Sequence, residues 1–231
     1  MNLYELYMQG GIVMHPILLC SILMVMVIIE RAIVLKRAKI DTGQFMLKLR
    51  SVVQRGGVEA GLTFCSKSSA PIANLMKKGL SKYNEGTERV REAIENAGKE
   101  EVYHLETRLG MLASIAGIAP LLGFLGTVTG MIQAFMMVQK LGGNASPADL
   151  AGGIWEALLT TAFGLFVGIP ALGFYNYFIT KVGRFVFELE SASEEFLDLA
   201  RAGALENSIT PHEKTKAVAT EEADEFFKKK G

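Results

Sequence analysis

The chain has 231 residues, and its 24 Lys and Arg balance 24 Asp and Glu, so the formal net charge is zero. Half of the residues are hydrophobic and the mean hydropathy is positive, +0.27. A neutral chain whose basic residues form no single block has no electrostatic basis for binding nucleic acid. The charged residues are unevenly distributed along the chain, and this distribution excludes a simple soluble globule.

Three segments contain no Asp, Glu, Lys or Arg: 12–29, 110–138 and 157–180. A helix rises about 1.5 Å per residue and the hydrocarbon core of a bilayer is about 30 Å thick. The second and third segments therefore exceed the length that a membrane-crossing helix needs, and the first just reaches it. The sequence predicts an all-α membrane protein with three transmembrane helices and long cytoplasmic helical extensions.

Basic residues flank these segments unevenly, at Arg31, Lys36, Arg37, Lys39, Lys99, Arg108, Lys181 and Arg184 on one side, against Lys140 on the other. The positive-inside rule then places the N-terminus outside and the C-terminus in the cytoplasm. The predicted division is a short outer N-terminus (1–11), transmembrane helix 1 (12–29), a cytoplasmic helical region (30–109), transmembrane helix 2 (110–138), an outer loop (139–153), transmembrane helix 3 (154–180), and a cytoplasmic C-terminal helix with a polar tail (181–231). We assign no function to this polar tail.

Helix signals are dense in the cytoplasmic region. Breaker residues and apolar spacing predict helices at Gln44–Gln54, Ile72–Tyr83 and Glu88–Leu109. No breaker motif separates the last of these from the second apolar segment, so we expect one helix to run from the cytoplasm into the membrane. Ser146 and Asp149 flank Pro147 with the spacing of an N-cap, which predicts that the third helix starts on the outer side.

Catalytic motifs are not evident in the sequence. The three histidines are scattered, and neither a phosphate-binding loop nor a Gly-x-Ser-x-Gly elbow occurs. We therefore expect no enzyme activity, no metal and no cofactor.

Glycines and prolines in the second and third segments indicate close helix packing. Two small-residue repeats, Gly126-x-x-x-Gly130 and Gly164-x-x-x-Gly168, allow helix backbones to approach each other in lipid. Pro120 and Pro170 each free a backbone carbonyl inside a helix and are expected to kink it.

Glu156 is the acid associated with an apolar segment, and a carboxylate in the membrane needs a reason. It either reaches water at the interface beside Trp155, or it stands at the mouth of a polar pathway. The hydroxyls of Thr127, Thr160 and Thr161 could extend such a pathway, although a membrane threonine usually bonds to its own helix.

Position along the helix stacks Thr160 beneath Glu156, because the two are four residues apart. Three helices enclose no pore, and a hydroxyl can relay a proton without holding its charge. A conducting path would therefore need several copies of this chain and a second protein that contributes a titratable group.

The second and third segments closely resemble the MotA/TolQ/ExbB proton channel family. The resemblance is carried by the stretches 119–131, APLLGFLGTVTGM, and 153–171, GIWEALLTTAFGLFVGIPA. Gly10-Gly11-x-x-Met14-x-Pro16-Ile17 and Ile29-Glu30-Arg31 also look like the first span of that family. The resemblance covers about residues 10 to 200 and is closest to ExbB and TolQ, which have three spans with the N-terminus outside.

This resemblance implies an inner-membrane homopentamer in contact with membrane lipid, whose central pore holds single-span ExbD- or TolR-like subunits. The transported ion would be a proton, and the work would be passed to a TonB- or TolA-like protein. It also implies that Thr127, Thr161 and Glu156 belong to the proton pathway, whereas helix position alone favours Thr160. A non-conducting structural scaffold is the alternative, since the glycine repeats and long helices would serve it equally.

Overall fold

The structure is a computed structural model that describes residues 3–201, in which every regular element is helical. The α-helices are α1 (Leu3–Gln9), α2 (Met14–Ala38), α3 (Thr42–Ser66), α4 (Pro71–Ser81), α5 (Thr87–Glu106), α6 (Leu109–Lys140) and α7 (Pro147–Arg201), with a 3₁₀ turn at Tyr83–Glu85. Three stretches are long and apolar enough to cross a membrane: Met14–Ala38, Thr87–Lys140 and Pro147–Arg201. The predicted all-α class with three candidate spans is confirmed for the described residues.

The described residues fall into two compact units. Residues 3–32 and 107–180 form the first unit, and residues 33–106 and 181–201 form the second. The three candidate pathway threonines and Glu156 all belong to the first unit.

Helix α7 starts where the sequence predicts, at a reciprocal N-cap. The backbone N–H of Ser146 donates to Asp149 Oδ2 at 2.8 Å, and the backbone N–H of Asp149 lies 3.4 Å from Ser146 Oγ. These bonds satisfy N–H groups that the first turn of a helix leaves without a helical partner. The hydrogen bonds from Ser146 hold the pKa of the Asp149 carboxyl below its usual range.

The expected continuous helix through α5 and α6 is interrupted, so that prediction is wrong at Thr107 and Arg108. Arg108 has φ 64° and ψ −3°, a left-handed conformation, and α6 begins at the next residue. The guanidinium of Arg108 donates a hydrogen bond to the carboxylate of Glu30 on α2. This ion pair lies within the first unit and compensates for a conformation that L-residues otherwise avoid.

The predicted helix at Gln44–Gln54 is part of the longer α3, which Asp41 caps by accepting from the backbone N–H of Gln44 at 3.0 Å. Gly57 bends this helix, because its φ of 72° and ψ of −173° are not helical. In the core of the second unit, Phe45 packs against Phe64 with ring centroids 5.3 Å apart. The second unit therefore has a hydrophobic core of its own.

Candidate proton-pathway site

Helices α6 and α7 run antiparallel in the first unit and meet along a small-residue seam. The seam comprises Ala119, Gly123, Gly126, Gly130 and Ala134 of α6 with Gly153, Ala157, Thr160, Gly164 and Gly168 of α7. Because the helices are antiparallel, a step of one turn toward the C-terminus of α6 corresponds to a step of one turn toward the N-terminus of α7. The seam thereby fixes which side chains of the two helices face each other.

The two glycine repeats lie in this seam. A Cβ on Gly130 would lie 2.6 Å from the carbonyl oxygen of Gly153, and a Cβ on Gly164 would lie 2.6 Å from that of Ala119. Both distances are far below van der Waals contact, and both partners are backbone atoms. Backbone approach of this kind is the usual basis of helix association in lipid.

Gly126 and Gly168 meet side chains of the opposite helix instead. Gly126 faces the side chain of Thr160, and a Cβ on Gly168 would lie 2.7 Å from the ring Cδ of Pro120. Both Pro120 and Pro170 lie inside continuous helices. The expected kinks at these prolines stay a prediction.

Thr127 of α6 and Thr161 of α7 form a direct hydrogen bond between their hydroxyls. The hydroxyl of Thr161 lies 3.0 Å from the carbonyl oxygen of Gly123, and that of Thr127 lies 3.3 Å from the same oxygen. Either hydroxyl can donate to the other while the second donates to the carbonyl. Both side chains are half-buried, so this polar pair borders the surface of the chain.

Thr160 has different surroundings from Thr161. Its side chain is fully buried in the seam, and its hydroxyl lies 2.9 Å from the carbonyl oxygen of Ala157 and 3.0 Å from that of Glu156. Both acceptors belong to its own helix, the usual arrangement for a membrane threonine. The structure brings Thr127 and Thr161 together and leaves Thr160 outside the pair.

The carboxylate of Glu156 is half-buried near the N-terminal end of α7. The side-chain amide of Gln133 on α6 donates to Glu156 Oε1 at 3.4 Å. Gly11, which precedes α2, lies against the same carboxylate. Thr161 is five residues further along α7, a rise of about 7.5 Å.

Sequence reasoning missed Gln133 and Gly11 as neighbours of Glu156. Gln133 offered a signal, since it is a polar amide side chain inside a segment that is mostly apolar. Gly11 offered none beyond its place in the pattern at the start of the first span. Within residues 3–201, no group of three or more His, Cys, Asp or Glu side chains is placed to hold a metal ion.

Comparison with known proteins places the chain in a family. A sequence model of the MotA/TolQ/ExbB proton channel family matches residues 67–191, which include the whole of α6 and the residues of α7 that form the seam. Biopolymer transport protein exbB1 of Vibrio cholerae is 32% identical over 174 residues, covering 74% of this chain and 76% of that protein.

Two further relatives extend the comparison. An ExbB homolog of Methanothermobacter thermautotrophicus is 27% identical over 187 residues, 80% of this chain and 66% of the relative. The Tol-Pal system protein TolQ of Haemophilus influenzae is 36% identical over 104 residues, 45% of each chain.

Proposed function

Because this chain belongs to the MotA/TolQ/ExbB proton channel family, we propose that it forms the channel of a complex that uses the proton motive force to drive a partner protein. The chain is a multi-pass membrane protein. We place it in the bacterial inner membrane with the N-terminus in the periplasm and the C-terminus in the cytoplasm. The transported ion is a proton, and we propose no cofactor for the complex.

The proposed assembly is a homopentamer around a central pore. The seam uses only one face of α6 and of α7, and their other faces expose large apolar side chains such as Phe124, 65% exposed, and Phe166, 78% exposed. In the membrane such faces are covered by lipid, by further copies of the chain, or by a partner helix. We propose that single-span ExbD- or TolR-like subunits occupy the pore.

The direct bond between the hydroxyls of Thr127 and Thr161 is the observation that carries this proposal. Thr160 and Thr180 satisfy their hydroxyls on their own helix, whereas this pair connects two helices and borders the surface. Two hydroxyls that bond to each other can pass a proton along by exchanging donor and acceptor roles. They cannot store its charge, so a partner must supply a titratable group deep in the membrane.

Glu156 supplies the outer end of the proposed path. A carboxylate half-buried beside Gln133 can collect a proton from the periplasmic side and release it toward the Thr127–Thr161 pair. One elementary charge that crosses a potential of 100 mV releases about 2.3 kcal/mol. Repeated crossings are sufficient to drive a conformational cycle, which we propose is passed to a TonB- or TolA-like protein.

Proton uptake by the purified complex tests the proposal. The complex is extracted gently from its native membranes, its co-purifying chains are identified by mass spectrometry, and it is reconstituted into liposomes carrying a potassium diffusion potential. We expect a small single-span partner with an Asp in its membrane segment. We expect Thr161→Val and Glu156→Ala to lower potential-driven uptake by about a hundredfold or more.

Thr180→Val is the matched control, because its hydroxyl is 2.8 Å from the carbonyl oxygen of Asn176 on its own helix. Full uptake in this control, with unchanged oligomer size in all variants, would assign the loss to the pathway. Full uptake in both Thr161→Val and Glu156→Ala would contradict the proposal. No uptake by any form, with an intact complex, would favour the structural scaffold.

A further inference from the structure

The turn before α2 lies directly against the carboxylate of Glu156. Gly11 has φ 67°, in the left-handed region that favours glycine. A Cβ at this position would lie 2.7 Å from Cδ of Glu156 and would also overlap Oε1. Glycine suits this backbone conformation, and any side chain here would have to displace the carboxylate.

A second contact holds the same segment on the same end of α7. The indole N–H of Trp155 donates to Gln9 Oε1 at 2.8 Å, and Gln9 is the last residue of α1. Trp155 directly precedes Glu156 in the chain. The segment Gln9–Gly11 is thus attached to α7 by a hydrogen bond at one end and meets the carboxylate at the other.

The amide of Gln133 on α6 completes the surroundings of this carboxylate. A glutamate has three side-chain torsions, and a free one on a surface samples many rotamers. Contacts from α6 and from the turn at Gly11 reduce that freedom. The carboxylate lies between these two neighbours, near the outer end of the seam.

We propose that Gly11 is a positioning residue for Glu156. The segment Gln9–Gly11 acts as a wall that holds the carboxylate toward α6, so that the proton it accepts is delivered to the start of the hydroxyl path. This inference rests on the proposed function and deepens it. Misplacing a reacting group by about 1 Å can cost a hundredfold in rate, so a change at Gly11 that displaces the carboxylate should lower proton uptake.

Four variants of the full complex test the inference. Gly11→Ala adds a Cβ that displaces the carboxylate, and Glu156→Asp withdraws the carboxylate by about one bond length, 1.5 Å. The double variant Gly11→Ala/Glu156→Asp has the extra methyl and the space for it. Gly142→Ala is the matched control, since Gly142 has a similar φ of 61° with nothing within 4 Å of its missing Cβ.

We expect Gly11→Ala to lower proton uptake by about tenfold or more, whereas Gly142→Ala stays within about twofold of the unmodified complex. Glu156→Asp alone should also lower uptake. The double variant should be no worse than Glu156→Asp, because two changes that act through one contact are not additive. Two independent losses that multiply in the double variant would overturn the inference.

A second readout does not depend on proton transport. The infrared carboxyl band of Glu156, identified as the band lost in Glu156→Gln, should shift in Gly11→Ala and stay unchanged in Gly142→Ala. An unshifted band in Gly11→Ala overturns the positioning role even if uptake falls. If Thr161→Val and Glu156→Ala both keep full uptake, the proposed function fails, and the band shift alone then decides whether Gly11 positions the carboxylate.

Failure of Gly11→Ala to assemble also gives an answer. The double variant should then recover assembly, because the shorter side chain removes the overlap with the new methyl group. Recovery would support the contact between Gly11 and Glu156 as the cause. A double variant that fails equally, while Gly142→Ala assembles, would overturn it.

Discussion

The carboxylate of Glu30 on α2 accepts a hydrogen bond from Arg108, the residue that directly precedes α6. It also accepts one from Arg31, at 2.8 Å. Arg108 is the non-glycine residue with positive φ in the described part of the chain, and Arg31 is only 4% exposed. One carboxylate therefore stabilises both a disfavoured backbone conformation and a buried guanidinium.

Glu30→Gln should destabilise the protein by about 2 kcal/mol, because it removes the negative charge beside a buried cation. Glu85→Gln is the control, since Glu85 pairs with Lys82 on the surface at 2.7 Å, with both side chains about half exposed. Exposed pairs contribute at most about 1 kcal/mol. Thermal unfolding in detergent, followed by circular dichroism, should show a larger fall in Tm for Glu30→Gln; equal shifts would contradict this account.

Thr160→Val should have little effect on proton uptake, whereas Thr161→Val should lower it by about a hundredfold or more. The two residues are adjacent in the chain and the substitution is the same, but only Thr161 bonds to Thr127. The hydroxyl of Thr160 contacts carbonyls of its own helix, which remain bonded within that helix without it. Uptake by reconstituted complexes measures the difference, and a greater loss in Thr160→Val would move the pathway into the seam.

Gly164→Ala should destabilise the packing of α6 against α7 by about 2 kcal/mol, because the added Cβ meets a backbone carbonyl that cannot move aside. Gly173→Ala on the same helix is the control. Gly173 has nothing within 4 Å of its missing Cβ, so alanine there should stabilise α7 by up to about 1 kcal/mol. Opposite signs in Tm are expected, and a fall of the same size in both variants would count against the seam.

Ser146→Ala should raise the pKa of Asp149 toward its usual range, because hydrogen bonds from Ser146 hold that pKa down. A carboxyl with a lowered pKa in the folded state stabilises it above the pKa of the unfolded chain, and this stabilisation is lost as the pH falls through the folded value. In Ser146→Ala the first turn of α7 should therefore be less protected from hydrogen exchange above the pKa of the unfolded chain, and this protection should change less as the pH falls. The same pH profile in both forms would show that the cap contributes nothing.

The long helices and candidate spans could be predicted because an apolar run longer than a bilayer is thick has few other structures open to it. The cap at Ser146 was equally predictable, since its spacing is local. Local signals did not reveal the break at Arg108, because a non-glycine residue takes a positive φ only where distant contacts such as the one with Glu30 stabilise it. They also suggested too short a helix before Gly57, which bends α3 without ending it.

Sequence reasoning named Thr127, Thr160, Thr161 and Glu156 as candidates but could not say which of them meet. Whether Thr160 or Thr161 meets Thr127 depends on the register in which the consecutive helices α6 and α7 pack. That register is set by backbone contacts of glycines, whose spacing indicates close packing but does not say which residues of the two helices face each other. The neighbours of Glu156 at Gly11 and Gln133 depend on the same tertiary packing.

The contact between Gly168 and Pro120 constrains how these two positions can change during evolution. The proline ring occupies the space that any side chain at 168 would need. We expect a lineage that first replaces the proline by a smaller residue to become free to replace the glycine, whereas the reverse order passes through a clashing intermediate. The two positions should therefore vary together, with substitution at 120 as the earlier event.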